Sequence, residues 1–375
     1  MPDARIEVRV RSDGTVRARR LADNVPSAIG EVRYDKLHAD LIGLFERWLT
    51  LRDRDWREEE IRVFGSLLHQ CLFSDEIWFW IQAQIDTRAA GTRIRLELIF
   101  PADPPYSRLA AIPWEYLYRP DRRRKNGIFL AADPGLILSR YIPLEDGEPE
   151  GDFTPGQQLQ VLVVVSQPAD PRLDPVEYED VLAAIRETCD KLGFARTEMH
   201  NPTADALRVQ ALQGPHLVHF MGHGEFDPVR GQGSLAFRHP DRGTDWVDDR
   251  RLATLLTQEG TAPRAIVLHS CEGGRTDFTA SFAGVAPQLI RSGVQCVAAM
   301  QYAVTNETAI AFSVSLYERL ADGVDLDTAV QDSRSRISLE SVPPDMRLLG
   351  IPVVYLQNRT PLLNPRADEA AAEGQ

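Results

Sequence analysis

Long apolar runs are missing from this chain of 375 residues. No stretch approaches the ~20 consecutive apolar residues that span a bilayer. The opening residues Met1, Pro2, Asp3, Ala4 and Arg5 contain no apolar signal region. A cytoplasmic protein with no membrane partner is therefore expected. Positive charge is also in short supply: Lys and Arg number 42 against 55 Asp and Glu, a formal net charge of -13. An acidic surface repels phosphate backbones, so no direct nucleic-acid partner is expected. The one basic cluster, Arg122 to Lys125, reads as a solvated loop tip. Cysteine is rare, with Cys71, Cys189, Cys271 and Cys296 alone. None stands in a C-x-x-C arrangement, so zinc-ribbon and thioredoxin-like readings lose their support, and neither a metal nor another cofactor is expected. A Walker-type lysine is absent too, and the Gly222-His223-Gly224 turn lacks the third glycine of a dinucleotide fingerprint.

What is present is a pattern of elements. Ile6, Val8 and Val10 alternate with charged residues, Ser12-Asp13-Gly14 supplies a turn and Val16 resumes the strand, which predicts a hairpin over residues 5–20. Leu37, Leu41, Leu44, Phe45 and Trp48 fall on one helical face, and Ile61, Phe64, Leu68 and Cys71 form a second stripe. Trp78, Phe79 and Trp80 read as core. The stretch 112–118 (IPWEYLY) concentrates aromatics after a proline, and residues 145–156 (EDGEPEGDFTPG) have the composition of a linker. From residue 158 strands alternate with helices. Residues 161–165 are a continuous branched run, as in a strand buried on both faces. Strands are expected again at 217–220, 265–268, 296–300 and 351–356, and helices at 178–192, 204–212, 248–256, 307–320 and 327–337. Such alternation implies an α/β fold with a parallel-dominated sheet flanked by helices, preceded by an N-terminal α+β region.

In an open parallel sheet, functional groups gather beyond the carboxyl ends of the strands. Two such ends carry reactive side chains: Met221-Gly222-His223-Gly224 and His269-Ser270-Cys271-Glu272-Gly273-Gly274. If the two strands are neighbours, about 4.8 Å apart, an imidazole and a thiol at their ends come within reach of each other. An imidazolium favours the thiolate, and the same histidine can protonate a leaving amine. The backbone N–H groups of Gly224 and Cys271 are candidates for an oxyanion hole. Glu225, Asp227, His269, Ser270 and Tyr302 are candidate substrate contacts, with Trp246 and Tyr302 as groove walls. His219 alternates with apolar residues and reads as a core histidine; Cys189 and Cys296 read as packing.

The pairing of LVHFMGHGEFD (217–227) with AIVLHSCEGG (265–274) resembles the CHAT branch of the caspase-like cysteine peptidases of clan CD. The continuation GVAPQLIRSGVQCVAAM and AFSVSLYERLADGVDLDTAVQDSRSRI, and the upstream IPWEYLY and GIFLAADPGLILSRYIPL, are similar to further elements of that family. The resemblance implies a caspase-like fold and a cysteine endopeptidase with His223 as base and Cys271 as nucleophile. It implies a dedicated protein substrate in a bacterial defence or programmed-death system, a separate activating sensor protein, and gasdermin-like pore formers as a substrate class. The alternative is a catalytically silent scaffold that binds a protein partner. Metacaspases, a related group, carry an aspartate two residues before the nucleophile that selects basic P1 residues. Here His269 stands at that position, either lining the S1 pocket or packing. The expected organisation is a docking or regulatory region (1–92), the first part of the CHAT region with its acidic linker (93–157), a catalytic domain (158–360) and a disordered tail (361–375).

Overall fold

A computed structural model describes residues 3–21, 26–49, 51, 56–120, 127–143, 158–227, 232–241, 243–257, 262–269, 279–302, 304–341, 344–357 and 362–363, with the side chains of 279–283 excepted. The linker at 145–156, the basic cluster at 122–125, the tail from 364 and the segment 270–278 lie outside the described residues. The chain forms two compact units, one comprising Met1–Tyr141 with Ser338–Gly350 and the other Ile142–Ile337 with Ile351–Gln375.

In the first unit the expected hairpin forms between β1 (Ala4–Val10) and β2 (Thr15–Arg20), with Val10 opposite Val16. Its turn is closed by Asp13, whose Oδ1 accepts the N–H of Thr15 at 2.8 Å. β3 (Ala28–Glu31), β4 (Ile94–Ile99) and β7 (Leu136–Tyr141) complete the order β3-β2-β1-β4-β7, while β5 (Tyr118–Arg119) and β6 (Ile128–Phe129) make a separate short pair. Three helices follow the hairpin: α1 (Lys36–Leu49), α2 (Glu58–Leu72) and α3 (Asp75–Asp86). The α2 stripe is buried as its spacing predicts. The α1 stripe is not: Leu37 and Leu41 are exposed and Ile42 is the buried residue, because α1 docks through its second half, where Phe45 stacks on Phe64. Of the aromatic triplet Trp78 is buried but Phe79 is exposed, since consecutive helical residues cannot share a face.

The IPWEYLY stretch is an anchor. Arg140 on β7 reaches Glu115 with Nε and Nη2 (3.1 and 2.7 Å) and also donates to the carbonyls of Ala110 and Ile112. Trp114 Nε1 donates to Leu109 O, and Tyr116 Oη donates to Arg347 O at 2.7 Å. Both charges of the Glu115–Arg140 pair are buried.

The second unit contains β8 (Gln160–Ser166), α4 (Glu179–Leu192), β9 (Ala195–His200), α5 (Ala204–Ala211), β10 (Leu217–Gly222), β11 (Gly224–Asp227), β12 (Gln232–Arg238), β13 (Thr244–Asp248), α6 (Asp249–Leu256), β14 (Ala265–His269), α7 (Thr279–Arg291), β15 (Cys296–Met300), α8 (Asn306–Ala321), α9 (Leu326–Leu339) and β16 (Pro352–Leu356). Its main strands lie in the order β16-β15-β14-β10-β8-β9, parallel except for β16. The expected parallel-dominated sheet is therefore present. β9 and the β11–β12–β13 ribbon are additions to the expected elements; both are rich in polar residues, and apolar periodicity does not reveal such strands. One face of the sheet is continuously apolar, with Leu162, Val164, Val218, Phe220, Ile266, Leu268, Val297 and Ala299 packed with α5, α6 and α7. Side chains alternate along a strand, so Val163, His219, Met221, Val267 and His269 occupy the other face, where Tyr317 of α8 meets His219.

Candidate active site

β10 and β14 are adjacent and parallel, and Met221 pairs with His269 as their last register partners. Two residues beyond Met221 stands His223; two residues beyond His269 the sequence has Cys271. The chain thus counts the same distance from a common register point to each. Ser270 and Cys271 lie outside the described residues, so the geometry of the site is that of its histidine half.

His223 is buried, and the backbone around it is fixed from two sides. Before it, Gly222 runs against β8: a Cβ there would stand 2.6 Å from Ser166 O, so no side chain fits. After it, Ala236 of β12 acts as a clamp. Its N–H donates to His223 O (3.0 Å), and its carbonyl accepts the Ser166 hydroxyl (2.6 Å). The ring is held by the β8–α4 loop, where Nε2 lies 2.9 Å from the carbonyl oxygen of Asp174. A carbonyl only accepts, so Nε2 carries the proton and Nδ1 is the basic nitrogen of the neutral ring. Burial lowers the His223 pKa, against a smaller raising effect of the Asp174 carbonyl.

The holding loop is itself tethered. Gln167 N donates to Asn201 Oδ1, Thr244 of β13 donates to Asp170 at 2.9 Å, and Asn306 at the start of α8 donates to Glu177. Asp170 also takes Arg172 in a two-point pair, which pushes its carboxyl well below the usual range. Gly224 opens β11 opposite Leu235, Glu225 is exposed and Asp227 half-buried. Partial desolvation raises the Glu225 carboxyl, opposed by Arg172 and aided by Asp227. Tyr302 is half-buried just past β15, and Trp246 lies on β13 opposite Ala236. α7, the helix that follows Cys271 in the chain, packs on β11 and β12, which follow His223. Gly284 permits this approach, for a Cβ there would meet the Phe226 ring at 2.8 Å.

Sequence reasoning missed Asp174, because a backbone carbonyl leaves no trace in residue identity. It also missed the company His219 keeps. His219 Nδ1 lies 2.9 Å from Tyr317 Oη, and its Nε2 lies 3.4 Å from His269 Nδ1, with all three side chains fully buried. Burial lowers the pKa of both histidines, that of His269 to about 4, so both rings are neutral near pH 7. The described cysteines are poor nucleophiles: burial pushes the Cys71 thiol up to about 12 and Cys189 to about 11, and Cys296 is buried at the start of β15. Among the described residues no group of His, Cys, Asp and Glu could hold a metal ion, and no helix is long and apolar enough to cross a membrane.

No curated protein matches this sequence. Among solved structures, the Arg-specific cysteine proteinase gingipain R (RgpB) of Porphyromonas gingivalis is similar with a TM-score of 0.48 and 13% identity, covering 88% of this chain and 76% of its own. The Saccharomyces cerevisiae separase–securin complex gives 0.40 and 14%, covering 90% of this chain and 21% of that one. The Drosophila initiator caspase Dronc gives 0.36 and 12%, covering 60% and 95%. The model of the CHAT domain family matches residues 67–348, most of the chain and both halves of the His/Cys motif. The chain belongs to the CHAT domain family.

Proposed function

We propose that this chain is a cysteine endopeptidase that cuts a dedicated protein substrate with His223 as base and Cys271 as nucleophile. The observation that supports it most is the state of His223: a buried ring, anchored through Nε2 on a backbone carbonyl, with its basic nitrogen at Nδ1, two residues beyond Met221, whose register partner His269 stands two residues before Cys271 in the sequence. Such a ring takes the thiol proton. The thiolate sulfur then bonds to the scissile carbonyl carbon, and the oxyanion so formed is met by the N–H groups of Gly224 and Cys271. When the C–N bond breaks, the imidazolium gives its proton to the departing amine. Water, deprotonated by the same ring, displaces the sulfur and releases the carboxylate product. Glu225, Asp227, Ser270 and Tyr302 are proposed to contact the substrate chain around this centre.

The setting proposed is a bacterial defence or programmed-death system in the cytoplasm, with a separate sensor protein as activator and a gasdermin-like pore former as substrate class. That part rests on family analogy. The mechanism is tested by profiling the new N-termini that the full chain generates in a protein mixture, together with mass-spectrometric detection of a peptide chloromethyl ketone on Cys271. Cys271→Ala is expected to abolish cleavage with little change in melting temperature, and His223→Ala to slow both cleavage and alkylation by roughly 10²-fold or more. Equal cleavage by Cys271→Ala would sink the mechanism. A folded wild-type chain that neither cleaves nor takes the label would favour the silent scaffold.

A further inference from the structure

β3 is the end strand of the first unit, and its outer edge is open. Val32 N donates to Gly14 O at 2.9 Å, which makes Gly14–Val32 a hydrogen-bonded pair at the mouth of the β2–β3 ladder. Antiparallel pairs alternate, so Val16–Gly30 is bonded in the same way and Arg17–Ile29 is not. The N–H and C=O groups of Ile29 and Glu31 therefore point away from β2, and among the described residues nothing takes them up. Side chains alternate as well. Gly30 faces α3, where a Cβ would stand 2.5 Å from Ser74 Oγ, so Ile29 and Glu31 face the other way. Ile29 is 54% exposed, and Glu31 is exposed beside it.

The face that Ile29 shares carries positive charge it does not pair. Arg9 and Arg17 are direct cross-strand partners, an arrangement that costs stability. Glu7 is the carboxylate beside them, but Arg19 holds it at 2.6 Å while Arg9 stands at 3.9 Å. Arg17 Nε donates to Ser27 Oγ at 3.1 Å, and among the described residues no carboxylate pairs with Arg17 and no cation with Glu31. β9, the end strand of the second unit, differs: its Glu198 is already paired by Arg186 and Arg196. We propose that β3 pairs antiparallel with β3 of a second copy of this chain, about a two-fold axis at Gly30. Ile29 then stands opposite the partner's Glu31. Both have outward backbone groups, so the pair exchanges both N–H···O=C bonds, and the axis repeats the exchange. Gly30 meets its own copy on the axis in a non-hydrogen-bonded pair, where Cα atoms approach to about 4.5 Å. The partner's Glu31 enters the row Arg9–Arg17–Ile29 at two strand spacings, about 10 Å, from the Arg17 Cα. An arginine and a glutamate side chain span that gap across one isoleucine. Each copy thus supplies the carboxylate that Arg17 of the other lacks, and covers its open edge. A strand of 4 residues buries little beside a standard interface, so a dissociation constant of roughly 1–100 μM is expected.

The test is sedimentation velocity of the full chain between about 1 and 200 μM, with circular dichroism to check that each variant is folded. The proposal expects a monomer–dimer equilibrium that weakens as salt rises from about 0.05 to 0.5 M. Arg17→Glu and Glu31→Arg each bring like charges together across the axis and are expected to weaken the dimer at least tenfold. The double variant reverses the ion pair and is expected to recover most of that loss. Ile29→Pro removes the outward N–H at an edge position, where proline is tolerated, and is expected to leave a monomer. Should Ile29→Pro fail to fold, the charge variants decide. A chain that stays monomeric at about 200 μM would overturn the proposal. A dimer indifferent to Arg17→Glu and Glu31→Arg would overturn it too, as would a double variant no better than the single ones, since the copies would then meet through another face. A monomeric chain that binds a fluorescein-labelled peptide of alternating Glu and Val would overturn it as well, and would give the edge to an acidic strand of another protein.

Discussion

Two buried polar assemblies, Glu115–Arg140 in the first unit and Tyr317–His219–His269 in the second, differ in kind. In the first unit Arg140 and Glu115 are both charged, and the guanidinium also donates to the carbonyls of Ala110 and Ile112. In the second, Tyr317, His219 and His269 are uncharged and end on His269 Nε2, which has no described partner. Buried charge is costly unless paired and hydrogen-bonded, so the first assembly holds a turn of backbone in one shape. A buried neutral row is weaker.

The most damaging way to probe this contrast is to break the charged assembly. Arg140→Ala strands the Glu115 carboxylate and frees two carbonyls in the interior, an expected loss of about 3–5 kcal/mol in denaturant unfolding. The double variant Arg140→Met with Glu115→Gln is expected to recover part of that loss, since no lone charge remains. If Arg140→Ala costs under about 1 kcal/mol, the pair is not the anchor of the first unit.

Acid strikes the neutral row instead. The His269 pKa is lowered to about 4 and that of His219 is also lowered, so the unfolded chain takes up protons near pH 6.5 that the folded chain refuses. Stability from these groups is complete above pH 6.5 and falls as pH drops toward 4, with His269 alone contributing a loss of roughly 3 kcal/mol over that span. His69 in the first unit, also lowered to about 4, adds a similar decline. Urea unfolding at stepwise pH is expected to show a shallower acid decline in His269→Gln by about one proton. The same slope in that variant would mean that the His269 ring is not held neutral.

Much of this was legible in the chain. Alternation and branched runs located β1, β2, β8, β10, β14 and β15, because strands buried on one or both faces announce themselves by side-chain type. The ribbon β11–β12–β13 did not, since its outward residues are polar and half-exposed, yet it supplies the Ala236 clamp on His223. His223 and Cys271 were singled out by their places beyond the ends of two strands, and those strands, β10 and β14, are neighbours. What holds the ring could not be read: the Asp174 carbonyl belongs to the backbone, and any residue at 174 would offer it. The roles of Glu115 and Arg140 were hidden for another reason. They are 25 residues apart, and nothing in the spacing of two unlike charges marks them as one buried pair.

The smallest expected effect separates the two assemblies most cleanly. Tyr317→Phe keeps the ring that lies against His219, with centroids 5.9 Å apart, and deletes only the hydroxyl. One hydrogen bond is lost, and His219 Nδ1 is left as an unpaired acceptor. A neutral buried bond of this sort contributes about 1 kcal/mol, well below the 3–5 kcal/mol expected for Arg140→Ala. Neutral imidazole can also move its proton between nitrogens, which softens the loss in a way no charged pair permits. Denaturant unfolding of the two variants side by side measures the ratio. A loss for Tyr317→Phe equal to that for Arg140→Ala would make the row as architectural as the ion pair. A loss near 1 kcal/mol, with melting otherwise intact, leaves the ion pair as the larger contributor to stability.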